Sequence, residues 1–143
     1  MSQDELDELV AEGVIERIAA DPETARVELD QAHLHVGTAA GIAERDPVAA
    51  FAIGYDAIRK ALSAHMRAHG YRVTRGKGHR ARTGRYAVAA IDDPTLEEHL
   101  VAFDELRQMR NQSEYDALLL ETHDVVDALA RADAIIRAVD KDI

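Results

Sequence analysis

Apolar side chains recur along most of this chain at intervals of three and four, the spacing that gathers them on one face of an α-helix. Leu6, Val10, Val14 and Ile18 predict a first, accessory helix over residues 3–19. Ser2 or Asp4 can cap it, and its acidic first turn suits the helix dipole. Asp21-Pro22 is a start signal, with Asp21 as N-cap and Pro22 at the first helical position. The second helix runs to about Arg45 on the seam Ala25, Leu29, Ala32, Val36, Ala39, Ala43. Asp46-Pro47 repeats the signal. The third helix carries Val48, Phe51, Tyr55, Ile58, Leu62, His65 and His69, and Gly70 closes it.

Residues 71–85, YRVTRGKGHRARTGR, show no apolar period and hold three glycines, so they read as a basic loop, with its connection reaching residue 93. Asp93-Pro94-Thr95 opens a fourth helix over 95–109, with Leu96, Leu100, Phe103 and Leu106 inward. RNQSEYD interrupts it, and Ser113 with Asp116 approaches a capping box. A last helix over 114–140 follows on Tyr115, Leu118, Thr122, Val125, Leu129, Ala132, Ile136 and Val139. The pattern predicts one all-α domain over residues 1–143, an antiparallel up-and-down bundle of four to five helices. No internal repeat divides the chain.

Composition agrees. Of 143 residues 26 are alanine, the best helix former, and only six are aromatic. Without cysteine there is neither a disulfide framework nor a thiolate metal site. The acidic start MSQDELDEL is not a signal peptide. No stretch approaches the roughly 18 to 20 apolar residues of a membrane span. The expectation is a cytoplasmic protein without a membrane partner. Fourteen arginines against three lysines, with so much alanine, suggest a GC-rich bacterial source.

The net charge of −10 disfavours nonspecific nucleic-acid binding by the molecule as a whole. The distribution is uneven, however. Arg72, Arg75, Lys77, Arg80, Arg82 and Arg85, with His79, fall in one segment without an acidic residue. Gly76 and Gly78 allow close backbone approach there, and Tyr71 or Tyr86 could stack on a base. These seven residues are candidate nucleic-acid contacts. The other reading is pairing with the protein's own acidic surface or with an acidic partner.

The helix reading AFAIGYDAIRKALSAHMRAHG, a polar loop with Gly-His, and an acidic helix ending in LRQMRNQSEYDALLL before a last long helix resemble the HEPN superfamily (higher eukaryotes and prokaryotes nucleotide-binding domains). The resemblance spans roughly residues 23–140. It is to small stand-alone actinobacterial members with an Arg-Asn-x-x-Glu-Tyr motif. It implies a helical bundle that forms a homodimer. It also implies RNA as a partner, no cofactor, and metal-independent endoribonuclease activity of the kind found in toxin–antitoxin and phage-defence systems, where a cognate antitoxin is a further partner. Carried over by motif position, the site is Arg110, Asn111 and Tyr115. The family's usual histidine is a tyrosine here, so whether the chain is an enzyme stays open.

Metal-free RNA cleavage needs a base for the 2′-hydroxyl, an acid for the leaving oxygen and positive charge at phosphorus. Arg110 suits the last role and Asn111 can hold phosphate by hydrogen bonds. Histidine is the usual acid–base group near neutrality. Tyrosine, with a reference pKa of about 10, is a poor base there but can donate a proton. The alternatives are a structural Tyr115 opening the last seam, an Arg110 paired with a carboxylate, and an Asn111 serving a turn. His65 and His69 stand one helical turn apart without an identifiable third ligand, so no metal site is expected. The glycines of GKGHR lack P-loop spacing. Two readings remain: an RNA-directed HEPN protein acting as a ribonuclease, or a catalytically degenerate HEPN module serving as a dimeric binding or scaffold protein.

Overall fold

A computed structural model of the chain describes residues 1–112 and 120–143, and at 110–112 the backbone alone. The elements run α1 (Gln3–Ala11), β1 (Ile15–Arg17), α2 (Pro22–Ile42), α3 (Pro47–His69), β2 (Tyr71–Val73), α4 (His79–Ala90), α5 (Leu96–Gln112) and α6 (Thr122–Asp142). The fold is all-α but for one two-stranded ribbon, and it has six helices among the described residues rather than four to five. No helix among those residues is long and apolar enough to cross a membrane.

The capping signals act as the side chains dictate. Asp21 accepts from the Thr24 amide at 3.1 Å and Asp46 from the Ala49 amide at 3.1 Å. Each carboxylate thereby satisfies an amide that the first helical turn leaves unpaired. Asp93 takes both the amide and the hydroxyl of Thr95, at 2.9 and 2.7 Å. Gly70 ends α3 in the left-handed conformation, at φ +82°.

The main core lies between α2, α3 and α6, with α5 laid against it. Ala25, Leu29, Ala32 and Ala39 of α2 meet Phe51, Ala57, Ile58 and Leu62 of α3, and Val125, Leu129, Ala132, Ile136 and Val139 of α6 close the layer. Small alanines let the axes approach. Where α3 meets α6 the approach is close enough that a Cβ at Gly54 would lie 2.5 Å from Leu129 Cδ2 and force that side chain to shift. Phe103 of α5 stacks on Phe51, with ring centroids 5.0 Å apart.

Two expectations are overturned. The first helix stops at Ala11 instead of reaching residue 19, because Gly13 turns the backbone to φ +77°. Ile15–Arg17 then pairs antiparallel with Tyr71–Val73, in the register Ile15 to Val73, Glu16 to Arg72 and Arg17 to Tyr71. Residues 71–93, read as loop and connection, hold β2 and the 12-residue helix α4. The inward face of α4 is Thr83, Tyr86, Ala87 and Ala90, a helical spacing made of one large residue and three small ones. Together α1, both strands and α4 enclose a second core around Leu6, Leu9, Ile15, Met66, Tyr71, Val73 and Tyr86. The fourth predicted helix extends to Gln112, three residues past the expected end. The last helix is described from Thr122; its predicted beginning, with Tyr115 and Leu118, lies outside the described residues.

Candidate nucleic-acid interface and the adjoining groove

The start of α4 reaches the middle of α5, the helix that ends in Arg110, Asn111 and Gln112. Arg80 hydrogen-bonds the Tyr55 hydroxyl, and its guanidinium carbon stands 5.7 Å from the Tyr55 ring centroid, a cation–π arrangement. Arg80 also lies close enough to Asp104 of α5 to act on its charge. Burial raises the Asp104 pKa, but hydrogen bonds from Arg107 and Gln108, with the charges of Arg107 and Arg80, more than offset this and hold it below the ordinary value. One turn beyond Arg107 on the same helix come Arg110 and Asn111. Their backbone closes α5. Their side chains, and the whole of Tyr115, lie outside the described residues, so the catalytic trio carried over from the resemblance is placed only as far as that helix end.

The seven basic-segment residues divide into distinct groups. Arg72 on β2 pairs with Glu16 across the ribbon at 2.6 Å, and Arg85 on α4 pairs with Glu12 at 2.8 Å. Arg82 donates to the Thr74 hydroxyl at 2.7 Å and to the carbonyls of Thr74 and Arg75 at 3.3 and 3.4 Å. It thereby braces the turn before α4. His79 opens α4, and its carbonyl accepts from the Thr83 hydroxyl at 2.8 Å. Arg75 and Lys77 are exposed and have no side-chain partner among the described residues. The segment therefore presents two free cations on a braced turn, beside a third, Arg80, held on Tyr55.

Beside this turn runs an open groove of about 1190 Å³, bounded by α1, α4 and α5 with α3 as its floor. Ile58, Leu62 and Phe103 form its base, and Val88 and Val101 stand exposed on facing walls. Both α1 and α5 bring carboxylates to its rim.

A buried polar cluster went unseen in the sequence. His65, fully buried in α3, has Nδ1 2.8 Å from the Tyr86 hydroxyl and Nε2 3.1 Å from an Asp142 carboxylate oxygen. His69 Nε2 lies 3.1 Å from the Asp142 carbonyl, and the two imidazoles are 4.3 Å apart. Burial pushes the His65 pKa down to about 4; the neighbouring His69 adds to this and Asp142 opposes it. Burial likewise pushes the Tyr86 hydroxyl well above its usual range. Both histidines are held by packing and by hydrogen bonds to Tyr86 and Asp142. The remaining cluster of donor atoms among the described residues is Glu121, His123 and Asp124 on the surface at the start of α6.

The chain matches no known family model, no curated protein and no solved structure.

Proposed function

We propose that the protein binds RNA where the start of α4 meets α5, and that Arg110 and Asn111 hold the phosphate at which a metal-independent cleavage takes place. The observation that carries this reading is that the exposed Arg75 and Lys77 precede α4 on the same turn from which Arg80 reaches Asp104 of α5, about two helical turns before Arg110 and Asn111. Free guanidinium and ammonium groups on a turn attract a phosphate backbone. Arg80 on Tyr55 leaves an aromatic–cation surface on which a base can stack. Arg110 would neutralise the charge that develops on phosphorus, and Tyr115 would stand as hydrogen-bond or proton donor. The HEPN resemblance of the RNQSEYD segment, with the homodimer it implies, is the source of these roles.

The test is incubation of purified wild-type and Arg110→Ala protein with a mixed cellular RNA pool in EDTA, with fragment ends read by sequencing. Cleavage by the wild type alone supports the reading. Equal cleavage by both removes Arg110 from the site.

The second reading, a catalytically degenerate dimeric module, is favoured by the pairing of Arg72 and Arg85 with the protein's own carboxylates. It expects no cleavage by either protein, and loss of the dimer or of the fold in Tyr115→Ala. Cleavage gained by Tyr115→His would mark the module as a ribonuclease site that lacks only its histidine.

A further inference from the structure

We infer that the groove between α1, α4 and α5 is a docking site for a cationic amphipathic helix of a partner protein. Volume is the first argument. About 1190 Å³ in an open trough exceeds the roughly 300–1,000 Å³ usual for a small-molecule pocket. The length of α4, 12 residues, makes the trough about 18 Å long at 1.5 Å per residue, room for some three helical turns.

The chemistry of the walls selects the occupant. Val88 on α4 is 44% exposed and Val101 on α5 is 52% exposed, so large apolar side chains meet water on both sides of the same trough. Half-buried Leu100 lies beside them. A partner helix with apolar residues at three- and four-residue spacing fits such a trough.

Charge decides the flanks. The arginines of the groove are already engaged within the chain: Arg59 with Asp56 at 2.7 Å, Arg85 with Glu12 at 2.8 Å and Arg107 with Asp104 at 2.9 Å, with Arg80 on Tyr55. The carboxylates of Glu5 and Glu8 on α1, and of Glu97 and Glu105 on α5, have no side-chain partner among the described residues. Four unpartnered carboxylates on the two rims therefore stand against one cation held outside an ion pair, Arg80, and the excess negative charge faces an apolar base. A helix with an apolar stripe bordered by Lys and Arg complements both features. A phosphate backbone complements neither; the groove adjoins the proposed RNA surface at Arg80 and Tyr55, which line both.

The probe is a fluorescent 18-residue Leu/Lys amphipathic peptide, with a Leu/Glu peptide of the same pattern as its control. Anisotropy is read with wild type, with Glu97→Lys/Glu105→Lys, with Val88→Asp/Val101→Asp, and with Glu23→Lys/Glu44→Lys. The last is an equal charge change on exposed residues away from the groove. All substituted positions are exposed, and circular dichroism checks each fold. The proposal expects binding of the Leu/Lys peptide alone, weakened at least about tenfold (roughly 1.4 kcal/mol) by either groove variant and less than about twofold by the distant one. Equal weakening by the distant pair would reduce the effect to net charge and overturn the proposal. So would a single-stranded RNA that loses affinity in the Val88/Val101 variant. A wild-type dimer in sedimentation that this variant converts to monomer would assign the groove to a second copy of the chain, which also overturns it.

Discussion

His65 Nδ1 and the Tyr86 hydroxyl lie 2.8 Å apart with both side chains fully buried. This bond fastens α4 to α3 inside the second core, and Asp142 ties the end of α6 to the same imidazole. Tyr86→Phe preserves the ring and removes the oxygen, leaving a buried imidazole nitrogen without its partner. The expected loss is about 1–3 kcal/mol of unfolding free energy with an unchanged urea m-value. A loss below experimental error would show that the contact contributes nothing net.

Acid should act through the same imidazole. The folded pKa of about 4 lies below the unfolded value of 6.5, because burial opposes the charged form. Between these values the unfolded chain binds a proton that the folded protein does not, so stability is complete above about pH 6.5 and falls as pH drops toward 4. The slope approaches 1.4 kcal/mol per unit and the total is on the order of 3 kcal/mol. Asp21, Asp93 and Asp140, whose folded pKa values lie below the ordinary carboxylate value, lose their contribution only at lower pH still. Urea titrations at pH 7.5, 6, 5 and 4.5 read this directly, and His65→Gln should flatten the dependence.

Two glycine substitutions should act in opposite directions. At Gly70 the backbone has φ +82°, and a Cβ would lie 2.9 Å from the Ile18 carbonyl oxygen. Gly70→Ala is expected to destabilise by about 1–3 kcal/mol, since both the backbone conformation and the backbone of Ile18, just past β1, resist it. Gly37, on the exposed side of α2, has nothing within 4 Å of an added Cβ. Gly37→Ala should stabilise by about 0.4–1 kcal/mol. Thermal melts of the two variants beside wild type decide both signs.

Salt dependence should separate the basic residues. If RNA lies on the turn before α4, Arg75→Ala/Lys77→Ala removes two phosphate contacts. The slope of log affinity against log salt for a single strand then becomes shallower by roughly 1.4, at 0.7 per contact. Arg72→Ala/Arg85→Ala, which breaks two internal ion pairs, should leave the slope unchanged. An equal change in both pairs would contradict the division drawn between paired and free cations.

Legibility in the sequence followed the range of the physics. Asp21-Pro22, Asp46-Pro47 and Gly70 act within one helical turn, and each ends or begins its helix where the local pattern predicts. The seams of α2, α3 and α6 are likewise local, since three- and four-residue spacing fixes which face must leave water. The basic segment misled because its glycines and arginines outweigh a seam of small residues. The spacing of Thr83, Tyr86, Ala87 and Ala90 was a readable signal for α4. The candidate catalytic motif was legible only as a motif; Arg110 and Asn111 are placed as the finish of α5, and Tyr115 falls outside the described residues.

By itself the sequence determined the helical class, the starts of α1, α2, α3 and α5 and the unequal distribution of charge, because propensity, capping and periodicity act between near neighbours. Tertiary structure alone decided that Ile15–Arg17 leaves its helical period to pair with Tyr71–Val73, and that Arg72 and Arg85 find their own carboxylates. It likewise decided that His65 meets Tyr86 and Asp142, and that a groove opens with an excess of unpaired carboxylates on its rims. Each of these joins residues far apart in the chain. Their energies depend on which helices come side by side, and that is settled when all the apolar faces are buried together.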